Sequence, residues 1–352
     1  MKIGIICHDA FPIVQPYQGG LEMITALLVN ELINRGHEVT SLCVKGSQLP
    51  GSMLYYDDKK EVNPQLSKEL IEFSSVSKAL NLFFQGDFDI IQNHSFHYQS
   101  IILGNLSPIP FITTFHTPIF PYLKVGIDAI SSRHNQLFTG VSKSLCELYE
   151  RHLPTVTPIY NGIELSKWKT EYINVQDYYS WSGRICKEKG LDRILELCKT
   201  AGVKLKIAGP ISDHTYFKER IEPHLDKVNF EYVGHLKQSA LNTHIKNSKG
   251  FLFSSLWEEP YGLVIAEALA CGVPVLANAV GAASEIINDN SGCLYSIDHP
   301  ATFIQGLQSI ERLDRRDCRA RAEVFCNHYT MVDAYEELYE MAQANHLIQN
   351  IL

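Results

Sequence analysis

Two glutamates eight residues apart, Glu259 and Glu267, make the clearest chemical demand in this chain. They lie in SSLWEEPYGLVIAEALACGVPVLA, Ser254 to Ala277, which reads as strand end, loop, helix and strand. Glu267 falls among Leu263, Val264, Ala266, Leu269 and Ala270, where a carboxylate is unfavourable unless something pairs with it. Hydroxyl groups of a bound sugar or ribose would do so. Pro260 suits a helix entry near Tyr261, because its missing N–H would be unpaired there anyway. The amides of Tyr261, Gly262 and Leu263 would then aim free donors, and the positive end of the helix dipole, into the loop. That favours a phosphate. Taken alone, the two glutamates read rather as a solvated loop residue and a helix residue paired with Lys or Arg.

Other candidates sit after strand-like runs. Arg184 and Lys189, in SGRICKEKGLDRI, precede a helix from Leu191 to about Thr200. A planar guanidinium and a compact ammonium near a helix start suit a diphosphate, although such charges also occur as solvated surface residues. Gly19-Gly20, ahead of a helix from Leu21 to about Arg35, lets the backbone approach a ligand closely or simply makes a turn. The loop lacks the G-x-G-x-x-G spacing of a dinucleotide site. His116 ends the strand Phe111 to Phe115 and is the histidine to single out, against the alternative of a packed or solvated ring. His94 and His97 lack a third ligand, and Asp87-Phe88-Asp89 reads as turn, so no metal is expected.

The elements that must position these residues alternate strand and helix along the chain, beginning with Lys2 to Cys7 and Glu38 to Val44. The pattern predicts an α/β protein with parallel, Rossmann-like sheets, in which His8, His94, His116 and Ser142 stand at carboxyl ends of strands. A length of 352 residues suits two domains. Composition is that of a globular protein, 45% hydrophobic and 20% charged. The net charge of −8 argues against nucleic-acid binding and weakens docking on anionic membranes. No apolar run is long enough to span a bilayer, and MKIGIICHDAF reads as a first strand rather than a signal peptide. Nine scattered cysteines without a CxxC pair point to free, mostly buried thiols in a reducing cytoplasm.

The stretch from Glu259 to Glu267 resembles the Glu-x7-Glu signature of the retaining glycosyltransferases of family 4, with Tyr261 in place of the commoner Phe. GG at Gly19-Gly20, RGHEV at Arg35 to Val39, HT at His116-Thr117, NG at Asn161-Gly162 and GR…KG at Arg184 to Gly190 follow in the family's order. The resemblance covers nearly the whole chain. It implies the GT-B fold: two Rossmann-like domains facing across a cleft, residues 1–164 and 165–329, with a helix over 330–352 crossing back to the first.

The same resemblance implies transfer of a hexose from a nucleotide-sugar donor to an acceptor with retention, and no cofactor or metal. It implies Arg184 and Lys189 on the leaving diphosphate, Glu259 on the sugar, Glu267 on the ribose and His116 beside the donor sugar. Gly19, Gly20, Tyr261, Gly262 and Leu263 would lie at the phosphates and Gly209 near the base. PIVQPYQGGLEMITALL, WSGRICKEKGLDRI and LKIAGPISDHTYF resemble a bacterial group of pterin and antibiotic-pathway transferases, which hints at UDP-glucose or a similar UDP-hexose. The residues do not identify the acceptor or an oligomeric state; acceptor loops are expected around Phe11 to Gln18, Met53 to Lys60 and Ile119 to Leu123. A nucleotide-sugar 2-epimerase and a catalytically silent nucleotide-sugar-binding module are the alternatives.

Overall fold

The computed structural model describes residues 1–56, 67–130, 136–170 and 174–351, so residues 57–60 of the second expected acceptor loop lie outside the described residues. The chain forms two compact units, Met1–Asn161 with Met331–Leu352, and Gly162–Thr330. In the first, strands β1 (Lys2–Ile6), β2 (Glu38–Cys43), β3 (Ser52–Tyr55), β4 (Ile90–Asn93), β5 (Phe111–Phe115), β6 (Gln136–Gly140) and β7 (Thr157–Pro158) build one sheet. Its order is β3-β2-β1-β4-β5-β6-β7, with every neighbour parallel. Strands covered by helices on both faces must be apolar throughout, and KIGII and FITTF are nearly so.

The polar exceptions satisfy one another. The Thr113 hydroxyl donates to Gln136 Oε1 at 2.9 Å, and the Thr114 and Thr139 hydroxyls are 2.6 Å apart. Lys2, which begins β1, is clamped by the D-x-D pair: its N–H donates to Asp89 at 2.7 Å and its ammonium to Asp87 at 2.6 Å. The final helix, His328–Ile351, contributes buried Tyr335 and Tyr339 to this unit. Its Asp333 and Glu336 accept from Arg35 at 2.6 and 2.5 Å, and Glu336 lies 2.7 Å from His37.

The second unit holds β8 (Tyr179–Ser182), β9 (Leu205–Ala208), β10 (Phe230–Gly234), β11 (Phe251–Phe253), β12 (Val275–Asn278) and β13 (Gly292–Tyr295). Their order is β10-β9-β8-β11-β12-β13, again all parallel. In both sheets the strand order reverses beside the first strand, between β1 and β4 and between β8 and β11. Side chains at the carboxyl ends of such a pair line a crevice that the diverging connections leave open.

One helix secures three others. From Arg315–Phe325, Arg315 donates to the Lys246 and Ser248 carbonyls at 2.5 and 2.8 Å, and Arg319 to Ala270 and Trp168 at 2.7 and 2.8 Å. Arg321 donates to Ile286 and Glu285, both at 2.7 Å. Lys246, Ala270 and Ile286 are the last residues of the helices Gln238–Lys246, Leu263–Ala270 and Ala283–Ile286. Their terminal carbonyls have no partner within the helix, and a cation there also meets the negative end of the dipole. Replacing Arg319 by Ala should therefore lower stability to denaturant by about 1–3 kcal/mol. Arg319→Lys should recover only part, because a lysine ammonium lacks the planar guanidinium whose Nη1 reaches both carbonyls while its Nε holds Glu323 at 2.7 Å; an unchanged midpoint for Arg319→Ala would show that water replaces both bonds without loss.

Candidate functional site

At the β8–β11 reversal, two loops are bonded into one structure. After β8 the chain passes Gly183-Arg184 into a short turn, Lys187–Lys189, and then the helix Leu191–Ala201. After β11 it passes Ser254 to Glu259. The Trp181 indole N–H donates to Ser254 Oγ at 2.9 Å, and that hydroxyl donates to the Lys189 carbonyl at 2.8 Å. The Leu256 amide donates to the Glu188 carbonyl at 2.8 Å. Gly209, which follows β9, has φ +139, and a Cβ there would lie 1.9 Å from the Gly183 carbonyl oxygen. Only glycine lets these two strand ends meet.

Glu259 is the centre of the assembly. Its Oε2 accepts from the Lys189 ammonium, from the Trp257 indole N–H at 3.0 Å and from the Ser255 hydroxyl at 3.2 Å. Lys189 also lies over the Trp257 ring, 5.5 Å from its centroid. The Glu259 and Lys189 side chains are only 14% and 17% exposed. The Glu259 carbonyl accepts from the Ala282 amide at 3.0 Å, while Glu258 accepts from the Gly281 amide at 3.0 Å. A Cβ on Gly281, whose φ is +54, would be 2.2 Å from that same Glu259 carbonyl oxygen, so the loop after β12 is seated directly on Glu259. All three side-chain donors converge on Oε2. Among the described residues Oε1 has no partner.

The helix expected near Tyr261 begins two residues later, at Leu263, and ends at Ala270. Gly262 sets this entry: it caps the helix at φ +95, a conformation that turns the chain after Pro260 rather than starting the helix there. Glu267 is consequently one turn into the helix. Tyr261 is buried beside Cys326, so its side chain belongs to the core and only its backbone faces the loop. No acidic residue occupies the first turn. The Glu267 carboxyl retains some accessible surface, but no described residue hydrogen-bonds or ion-pairs with it. Dense packing around it disfavours the charged form and pushes its pKa up to about 8.

Arg184 is 51% exposed and 3.5 Å from Glu188 Oε1. Both expected cations of the second unit therefore stand beside carboxylates, Arg184 loosely and Lys189 tightly.

In the first unit, three histidines follow three adjacent strands: His8 after β1, His94 after β4 and His116 after β5. His94 Nδ1 and His116 Nε2 are 2.8 Å apart. His8 Nδ1 accepts from the Ala10 amide at 3.2 Å, and its Nε2 lies 3.1 Å from Glu22 Oε1, with both side chains at most 5% exposed. Gly19 caps the helix Gly20–Asn34, and Glu22 occupies its first turn. Burial raises the Glu22 carboxyl, but His8 and the amides of Glu22 and Gly19 outweigh that and hold it lowered. Glu22 thus stands at the capping-box spacing, three residues after Gly19, with the Gly19 amide helping to hold its carboxyl lowered. Glu22, Ser255 and Trp257 were missed in the sequence; Glu22 is readable as the Glu three residues after a cap, whereas Ser255 and Trp257 carry no spacing signal. Among the described residues no group of three or more His, Cys, Asp or Glu is placed to hold a metal ion.

Residues 18–167 match the model of glycosyltransferase family 4, and residues 166–324 that of glycosyl transferases group 1. Together with the two parallel Rossmann-like sheets, these matches place the chain in the family 4-like glycosyltransferases of GT-B fold. An uncharacterised glycosyltransferase of Methanocaldococcus jannaschii is 24% identical over 329 residues, 82% of this chain and 83% of its own. The sucrose-phosphate synthase of Thermosynechococcus elongatus superposes with a TM-score of 0.77 at 17% identity, over 98% of this chain and 99% of its own. Anabaena HepE, solved with UDP and glucose, gives 0.74 at 16% identity, over 97% and 100%.

Glu267 yields a prediction that needs no ligand. Its pKa rises from about 4.5 in the unfolded chain to about 8 in the folded one, so the native state binds the extra proton between these values. Stability should fall as pH rises through that window, by up to about 1.4 kcal/mol per pH unit. Denaturation of Glu267→Gln should show this fall removed, with the variant gaining on the wild type as pH rises. Parallel pH profiles for the two proteins would mean that Glu267 titrates normally.

Proposed function

We propose that this glycosyltransferase moves a hexose, with retention at the anomeric carbon and without a metal, from a UDP-linked donor to a hydroxyl of a small-molecule or glycan acceptor. The observation that carries the reading is the pair of under-used carboxyls at the carboxyl edge of β11: Glu259 with Oε1 free, and Glu267 desolvated without a partner. Half-buried acceptors of this kind are satisfied by hydroxyl groups, and a nucleotide sugar offers them at its sugar and its ribose. We assign Glu259 to the sugar and Glu267 to the ribose. HepE, of the same fold, has also been solved with UDP-glucose.

Breaking the bond from the anomeric carbon to phosphate builds negative charge on the diphosphate, and donors fixed beforehand at that point lower the barrier most. Arg184, Lys189 and the unpaired amides at the start of Leu263–Ala270 are the donors assigned to it. Gly209, packed against Gly183, gives the base a close backbone edge. The leaving phosphate oxygen takes the acceptor's proton as the acceptor attacks from the same face, so no carboxylate nucleophile is required. His116 is assigned to the donor sugar, and Gly19 and Gly20 contribute a close backbone approach to the donor rather than charge, since Glu22 stands in the same first turn.

UDP and UDP-glucose should raise the melting temperature, the gain reaching about 2.7 kcal/mol at a hundredfold excess over Kd. Glu267→Ala should weaken UDP tenfold or more, about 1.4 kcal/mol, by calorimetry. Equal affinities would remove the ribose role, and absence of stabilisation by any nucleotide diphosphate would sink the whole reading. With an acceptor in hand, Arg184→Ala should lower kcat about a hundredfold while chelator leaves the wild type active. Loss of transfer in chelator would contradict metal independence, and an epimer formed from donor alone would replace transfer by epimerisation.

A further inference from the structure

His116 is held from behind by a second histidine, and the proton they share decides what His116 offers on its open side. His94 is fully buried, and its Nε2 has no partner. If His116 Nε2–H were the donor in the 2.8 Å contact, neutral His94 would carry its only N–H on Nε2, orphaned in packed surroundings. With His94 Nδ1–H as donor, Nε2 is left instead as an unpaired acceptor. That is the milder deficit, since buried N–H groups without acceptors are the rarer defect. The Tyr335 ring stands edge-on to His94 with centroids 6.1 Å apart, which leaves it at most a weak π acceptor. Burial lowers His94 to about 3 and His116 well below its ordinary value, with His94 and His8 adding to the latter, so both rings are neutral near neutral pH. The other titratable groups around them are Tyr335 and, behind His8, Glu22.

We propose that His94 is a positioning residue that fixes His116 in the Nδ1–H tautomer, so that its open edge presents a neutral hydrogen-bond donor. His116 Nδ1 has no protein partner among the described residues. The backbone carrying it is held firmly: Tyr149 stacks on Phe115 at 3.7 Å and donates its hydroxyl proton to the Thr117 carbonyl at 2.9 Å. A ring in this state cannot take a proton at Nδ1, but it recognises a ligand oxygen. Contact with a donor sugar rests on the function proposed above, whereas the tautomer does not.

The test is long-range proton–nitrogen correlation NMR on the whole, ligand-free chain with 15N-labelled histidine, the His116 signals being assigned by their loss in His116→Gln. The expected spectrum has His116 Nδ1 protonated and Nε2 unprotonated. His94→Asn, whose amide nitrogen can stand where Nδ1 was, should keep that tautomer, and His94→Leu should shift it towards Nε2–H. A wild-type spectrum with Nε2 protonated would overturn the lock even if His94→Leu failed to fold. An unmoved tautomer in folded His94→Leu would overturn the role of His94. Saturating UDP-glucose should then shift the His116 Nδ1–H signal; a stationary signal beside an intact tautomer would count against the ligand contact and leave the lock standing.

Discussion

Three donors meeting on one oxygen of Glu259 are the contact on which the second unit's crevice depends. Lys189 comes from the loop after β8, Ser255 and Trp257 from the loop after β11, and the backbone of Glu259 carries the loop after β12 through Ala282. These strands are neighbours only because the sheet order reverses between β8 and β11, so topology brings the loops together and the carboxylate joins them. An ion pair this enclosed adds little net stability over an apolar pair of the same shape, but removing either partner strands a desolvated charge. Its value lies in position: a fixed ammonium, and a carboxylate with one oxygen anchored and the other open.

The two units repeat this layout with different chemistry. Both put polar side chains at the carboxyl ends of the strands flanking the reversal, but the first presents histidines where the second presents Lys189 and Glu259. Their helix starts also differ. The helix Gly20–Asn34 has Glu22 in its first turn, its carboxyl held lowered by His8 and nearby amides, and that negative charge opposes a phosphate at the same place. The helix Leu263–Ala270 has no acid there and enters through a left-handed glycine. Of the two glycine-led helix starts, simple electrostatics favours the second for a diphosphate.

Much of this was legible in the sequence because parallel strands buried on both faces must be continuous apolar runs. Phe111–Phe115 was readable to the residue for that reason. Two of the edge strands were not: Ser52–Tyr55 is largely exposed and Gly292–Tyr295 mixes Gly and Cys, so neither carries a periodic signal. The helix entry was misplaced because Pro260 is a generic start signal, while the deciding torsion belongs to Gly262. Arginines that cap distant helix ends, such as Arg319, look like ordinary surface charges until the fold brings Ala270 to them. The charge balance was hidden as well, since nothing in the spacing of Arg184, Glu188, Lys189 and Glu259 shows that each cation meets a carboxylate.

That balance bears on how a ligand with two chemically distinct parts would be recognised. A cation already paired has less free positive potential to offer, so a lone phosphate gains little unless the displaced carboxylate finds new donors. In the proposed reading a nucleotide sugar supplies both sides of the exchange, its diphosphate competing for Lys189 while its sugar hydroxyls donate to Glu259. Because Trp257 and Ser255 hold Oε2 in place whether or not Lys189 moves, Glu259 keeps its position through the exchange. Inorganic phosphate brings the charge without the hydroxyls, and a free sugar the hydroxyls without the charge. The paired resting state therefore favours the joined molecule over either fragment by more than the separate contacts add, which is specificity obtained from the cost of leaving a buried charge alone.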